Sequence, residues 1–245
     1  MNKSFSGLPK IAAVSVAAAF AAPAMAQTAG SNVFNVGWFH FTPQDSSDPL
    51  RIVNPPVTIA GSGATISNAD TLGLAFSHFF TDNFVLTADM GVPPTFHLNG
   101  TGTLESVGEL GKAKQWSPAL VAKWYFGDGN SKFRPFVGAG VSYVWYSDIE
   151  LTNQFQRAIS ARLTGGAITT ARSSADLSSS WAPILNAGAV YNIDKNWSIG
   201  LSVSYLSLKT DADITTTLPS GAQVRSATSL TINPIVTFLS VGYTF

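Results

Sequence analysis

The stretch Trp116-Ser117-Pro118-Ala119-Leu120-Val121-Ala122-Lys123-Trp124-Tyr125-Phe126 decides the fold class. Trp116, Pro118, Leu120, Ala122, Trp124 and Phe126 fall on one side of a two-residue period, and Ser117, Ala119, Val121, Lys123 and Tyr125 fall on the other. Successive side chains of an extended strand point to opposite faces, so this spacing gives one apolar face and one small or polar face. Leu72, Leu74 and Phe76 alternate in the same way with Thr71, Gly73, Ala75 and Ser77.

Working outward, the pattern gives eight candidate strands: 32–42, 70–80, 84–92, 116–126, 133–147, 181–191, 197–209 and 229–245. An even number of antiparallel strands can close into a barrel. Their connections alternate in length, with tight turns at 81–83, 127–132 and 192–196 and long loops at 43–69, 93–115, 148–180 and 210–228. Short turns on one side and long loops on the other are the asymmetry of an outer-membrane barrel. Rings bracket the short turns: Phe79, Phe80 and Phe84; Trp124, Tyr125, Phe126 and Phe133; Tyr191 and Trp197. Trp38, Phe39, Phe41, Trp116, Tyr143, Trp145, Tyr146, Trp181 and Tyr205 stand at the opposite strand ends, as a second girdle should. A soluble sandwich would need another sheet to cover rows such as Trp197, Ile199, Leu201, Val203 and Tyr205. A helical span is excluded even from the charge-free run 226–245, which Thr228, Asn233, Pro234 and Ser240 interrupt. The expected fold class is all-β, an eight-stranded antiparallel transmembrane β-barrel.

At the N-terminus Lys3 and Lys10 form a cationic start, Ile11 to Ala22 an apolar stretch and Ala24-Met25-Ala26 a small-residue cleavage site. That apolar stretch is shorter than the roughly 20 residues a bilayer-spanning helix needs. The expected organisation is a cleaved signal peptide over 1–26 and one outer-membrane barrel domain over 27–245. Lys3 and Lys10 are the only charges in the leader, so the remaining 219 residues carry 12 basic and 14 acidic side chains, a net charge of −2. Such a chain lacks the basic footprint that phosphate neutralisation requires, which excludes a dedicated nucleic-acid binder. Charged residues are 11% of the total, under half the usual share, which argues against an ordinary cytosolic enzyme. The absence of Cys excludes disulfides, thiol nucleophiles and thiolate metal sites.

Four blocks carry a family likeness: Thr71-Leu72-Gly73-Leu74, Lys123-Trp124-Tyr125-Phe126-Gly127-Asp128, the run from Ser131 to Gly140, and the terminal Val241-Gly242-Tyr243-Thr244-Phe245. With them the chain resembles the OmpW family of outer-membrane proteins, which includes the AlkL-type alkane importers. The resemblance implies an eight-stranded barrel with a narrow, largely apolar lumen that admits small hydrophobic compounds.

The histidines suggest no catalytic or metal site. His40 falls near the outer end of strand one, His78 near the periplasmic end of strand two and His97 in the second long loop, with no HExxH or G-x-S-x-G among them. No catalytic residue, metal or cofactor is expected. Alternation points Asp89, Lys123 and Arg134 into the lower lumen, where buried charges should pair into a network sealing the periplasmic half. Higher inward positions are apolar: Val144, Tyr146, Ile184, Leu206, Leu208, Leu230 and Ile232. They form a candidate ligand cup, or simply fill a solid barrel. The small inward residues Gly73, Ala75, Gly138, Gly140, Gly188 and Gly200, together with the family resemblance, favour the cup. Trp181 matches a family Trp and could gate it, if a bulge at Pro183 turns the ring inward. Pro93, Pro94, Pro118, Pro183 and Pro234 lie near outer strand ends, where each removes a ladder donor. They could open the wall sideways, or merely end the strands. Phe155, Ile159 and Leu163, spaced by four, suggest a short helix in the third loop. Tyr243 and Phe245 resemble the terminal signal read by the barrel-assembly machinery.

These readings lead to passive uptake of small hydrophobic solutes by a monomer or weak oligomer set among outer-membrane lipids and lipopolysaccharide. The competing expectation is a packed surface-interaction barrel whose loops bind lipopolysaccharide, phage or host surfaces.

Overall fold

The computed structural model describes residues 27–53, 56–167 and 170–245, so the expected leader over 1–26 lies outside the described residues. Eight strands form the barrel: β1 (Asn32–Thr42), β2 (Ala69–Phe79), β3 (Phe84–Gly91), β4 (Ala119–Tyr125), β5 (Phe133–Leu151), β6 (Ser180–Asn192), β7 (Trp197–Leu206) and β8 (Ile235–Thr244). Each pairs antiparallel with the next, and β8 returns to β1 over ten residue pairs from Val33↔Thr244 to Thr42↔Ile235. Closure removes the sheet edges, so each wall strand has a neighbour on both sides. No helix among the described residues is long and apolar enough to cross a membrane.

Alternation fixes which face is which. Leu120 and Trp124 are 48% and 50% exposed, while Val121 and Tyr125 beside them are buried at 1% and 5%. Leu72, Leu185, Ile199, Leu201, Leu239 and Val241 continue the same exposed apolar band around the outside. Water would not tolerate so large a contiguous apolar surface, whereas lipid is its natural solvent. Adjacent residues of a strand cannot both face lipid, so five of the expected girdle rings turn inward. Phe39, Phe41, Phe79, Tyr125 and Tyr146 point into the barrel, leaving Trp38, Phe80, Trp124 and Tyr143 to the outer wall.

The expected strand ends require correction. Expected strand 116–126 begins only at Ala119, and 229–245 only at Ile235, because Pro118 and Pro234 lack the N–H that the ladder needs. Expected 197–209 stops at Leu206, and expected 133–147 continues to Leu151. The long loops are themselves structured. Thr95–Gly102 and Glu109–Trp116 form a hairpin that pairs with the upper part of β5, and Lys209–Thr217 pairs with Gln223–Thr231. The wall therefore continues above the barrel as a second storey. The expected helix is present as α1 (Asn153–Leu163), whose Phe155 N–H donates to the Thr152 side chain at 3.2 Å. A cap of this kind contributes about 1 kcal/mol.

Candidate functional site

The inside of the barrel changes character with height. At the periplasmic end Val33, Phe79, Val85, Tyr125, Phe136 and Val190 pack into a plug. Arg134, fully buried, threads through it. Its Nη1 donates to the Gln27 carbonyl at 2.8 Å, its Nη2 donates to the Asp82 carbonyl, and its guanidinium lies 5.7 and 5.1 Å from the ring centroids of Phe79 and Tyr125. The three charges expected to form a network are not directly ion-paired within 4.0 Å among the described residues. Lys123 sits with Nζ 5.1 Å from the Phe136 centroid, and Asp89 lies higher, at the wall opening described below. The direct contacts of the Arg134 guanidinium are backbone carbonyls and ring faces.

The middle is packed as well. A Cβ on Gly73 would collide with the rings of Phe39 and Phe238, which stack with centroids 4.1 Å apart, and one on Gly188 would come 2.7 Å from Phe136 Cζ. Gly73 and Gly188 thus make room for neighbouring rings and not for a cavity.

Open space begins above this level. Val144, Ile184, Leu206, Leu208, Leu230 and Ile232 form one buried apolar cluster with Phe41, Val121, Ala182 and Val236, and Tyr146 packs against it. The structure thus brings the expected cup residues together. Above them lies a cavity of about 120 Å³ bordered by Tyr146, Leu230 and Ile232 from below and by Phe96, Leu98 and Phe155 of the second storey. The Tyr146 hydroxyl is 2.8 Å from Thr210 Oγ1, so its polar tip is engaged. Trp181 is not part of the cup. It is 69% exposed and packs on Tyr143 outside the barrel with centroids 4.8 Å apart, because β6 keeps unbroken register with β5 through Pro183↔Val141 and no bulge turns the ring inward.

The wall has an opening between β3 and β4. Their last ladder pair is Asp89↔Ala119, and contact resumes only where Gln115 N–H donates to the Pro94 carbonyl at 3.0 Å. Between these points each side is tied to its other neighbour. Val92 N–H donates to Leu72, while the Pro118 carbonyl accepts from Tyr143 N–H and from Ser142 Oγ. The space between them, about 290 Å³, is bordered by Pro93, Pro94 and Pro118, by Met90 and Trp116 on the wall, and by Ile184 and Leu206 from inside. Three of the five expected rim prolines therefore border one opening. Pro183 and Pro234 sit elsewhere, each with a carbonyl still accepting, from Ser207 and Leu206 N–H respectively.

The histidines are dispersed to separate partners: His40 Nδ1 lies 2.7 Å from Asp70, His97 Nδ1 2.8 Å from Glu109 and His78 Nδ1 2.8 Å from Asn32. Strand register, His40↔Asp70, supplies a carboxylate that sequence spacing could not reveal. One site residue was missed: Gln115, read as loop, borders both spaces, while Asp89, expected in the lower charge network, borders the wall opening. A usable signal existed for Gln115, since exposed Lys112 and Lys114 alternate with the more buried Gly111, Ala113 and Gln115 at the strand period.

The family profile of OmpW matches residues 28–245. The chain belongs to the OmpW family. Outer membrane protein W of Vibrio cholerae serotype O1 is 30% identical over 246 residues, covering all of both chains. Outer membrane protein AlkL of Ectopseudomonas oleovorans is 27% identical over 187 residues, 76% of this chain and 71% of that one. The crystal structure of the outer membrane protein OprG from Pseudomonas aeruginosa superposes with a TM-score of 0.76 at 25% identity, covering 89% of this chain and 97% of that one. This OmpW-family chain is thus a bacterial outer-membrane barrel, and the exposed apolar band is its lipid-facing surface.

Proposed function

We propose that this barrel takes up small hydrophobic molecules passively, receiving them in the upper cavity and releasing them sideways through the opening between β3 and β4. The observation that carries this reading is the pairing of an apolar cavity with an interrupted wall, directly above a plugged and packed lower barrel. An axial route would have to cross Arg134 and its rings, whereas the lateral route meets mainly apolar side chains. Tyr146, Leu230 and Ile232 would hold solute in the cavity, Ile184 and Leu206 would pass it to the opening, and Val144 and Leu208 would back the wall. Similarity to the AlkL protein supports the same class of solute.

The test is decane uptake into vesicles carrying the purified barrel. Cysteines replacing Met90 and Ser117, bridged by a short cleavable thiol crosslinker, should bring uptake close to that of protein-free vesicles, and cleavage should restore it. The native chain has no Cys to confuse the labelling. Undiminished uptake by the bridged barrel would exclude this opening as the exit.

The packed middle also favours the reading of a surface-interaction barrel whose loops meet lipopolysaccharide, phage or host surfaces. Decane uptake no faster than in protein-free vesicles would select it. For assembly, Leu239, Val241 and Tyr243 share the outer face, and Phe245 exchanges backbone hydrogen bonds with Asn32 at 2.9 Å in both directions. We take this end as the segment read by the barrel-assembly machinery. Deleting Phe245 should lower the folded, heat-modifiable barrel in the outer membrane, and an unchanged level would refute that role.

A further inference from the structure

Gln115 is 3% exposed, and its side-chain Nε2 has no hydrogen-bond partner. It is also the one residue, among those described, that borders both the upper cavity and the wall opening. Its backbone is fully committed there: the N–H bond to Pro94 fixes the residue where the wall closes again, and Tyr146 stands opposite in the ladder. Tyr146 does not answer the amide: its hydroxyl pairs with Thr210, and Gln115 Nε2 is left without a partner. A buried amide N–H without an acceptor is costly, and an acceptor carried past it by a solute would relieve that cost. The lining of the opening restricts which acceptor. Among the described residues no Lys, Arg or His borders it, so a solute carboxylate would lose its water with no countercharge, a cost a neutral carbonyl avoids.

We propose that Gln115 is a specificity-determining residue that hydrogen-bonds the neutral carbonyl oxygen of an otherwise apolar solute as it turns from the cavity into the opening. The barrel then favours medium-chain ketones and esters over alkanes of the same size. This inference rests on the uptake reading and adds a substrate class to it.

The test is competition against decane uptake into vesicles, using 2-decanone and undecane, which have the same number of heavy atoms, with concentrations taken in the membrane phase. Half-inhibition by 2-decanone should need about fivefold less competitor than half-inhibition by undecane, the scale of one modest hydrogen bond. Gln115→Met, close in volume but without a donor, should erase that advantage, bringing the ratio of the two half-inhibition values to about one. Equal competition in the native barrel overturns the proposal without any variant, and so does an advantage that survives in a heat-modifiable Gln115→Met barrel. A preference for decanoate over 2-decanone overturns the neutral class. Decane uptake no faster than in protein-free vesicles defeats the uptake reading itself and this inference with it, an outcome distinct from loss of the ketone preference alone.

Discussion

The lower barrel and its upper storey are built from the same alternating strands, yet one is closed and the other open. Below, rings from other strands fill the space over Gly73 and Gly188, and Arg134 ties the N-terminal segment to the first turn through two carbonyls. Above, prolines break the ladder, the wall divides into separate hairpins, and apolar side chains surround space instead of one another. An eight-stranded circumference holds at most filling side chains or one small ligand, and in this barrel the open volume lies where the wall is lengthened and interrupted. The difference between the halves is therefore one of backbone continuity more than of residue polarity.

The largest expected effect breaks the closed half. Arg134→Leu keeps an apolar volume in the plug but leaves the Gln27 and Asp82 carbonyls without their donor. Loss of hydrogen bonds to a buried cation should cost about 3 kcal/mol. Urea unfolding of the reconstituted barrel measures this, and decane uptake by the fraction that still folds should stay within about twofold of native, a factor worth well under 1 kcal/mol. A large loss of uptake in folded Arg134→Leu would mean that the floor takes part in transport and that the contrast between the halves is false.

How much of this contrast the chain announces in advance depends on where side-chain alternation is strong. Leu120, Trp124, Ile199 and Leu201 face lipid as their period implies, and the cup residues from Val144 to Ile232 meet as alternation places them. The second storey was hidden where its buried positions are small or polar. In Lys209–Thr217 the buried set is Thr210, Ala212, Ile214 and Thr216, too weak a pattern to separate from loop. Arg134 was placed inside correctly, but its partners are backbone carbonyls, which have no sequence signature. The glycines misled for a related reason. Whether a missing side chain leaves space or admits a neighbour is decided across strands, as Phe39 and Phe238 do over Gly73.

A smaller effect should separate two residues that the sequence treats alike. Ile232 borders the upper cavity, whereas Leu208, fully buried, does not. Ile232→Asp puts a carboxylate at the cavity surface and should reduce decane uptake by about tenfold with a stability loss of about 2 kcal/mol. Leu208→Asp buries the same group in packed apolar surroundings and should cost more stability, a few kcal/mol. Uptake assays run beside urea titrations of both variants distinguish the two. If Leu208→Asp lowers uptake in folded barrels more than Ile232→Asp does, the cavity has been drawn around the wrong residues.

The smallest expected effect lies in the third periplasmic turn of the closed half, where Asp194 accepts backbone N–H bonds from Trp197 and Asn196 at 2.7 and 2.8 Å. Those two donors hold its carboxyl below the ordinary aspartate value of 3.8. Because folding lowers this pKa, the ionised carboxylate stabilises the turn above the unfolded value, and that contribution fades as the pH falls through the folded one. Asp194→Ala should therefore unfold at slightly lower urea than the native barrel at pH 7, with the gap narrowing once the pH drops below 3.8. The side chain is fully exposed and screened, so the shift should be small and uptake should not change. A gap that stays constant down to the lowest accessible pH would show that Asp194 acts by turn geometry alone, and a change in uptake would tie the periplasmic turns to a pathway that the closed half is argued to exclude.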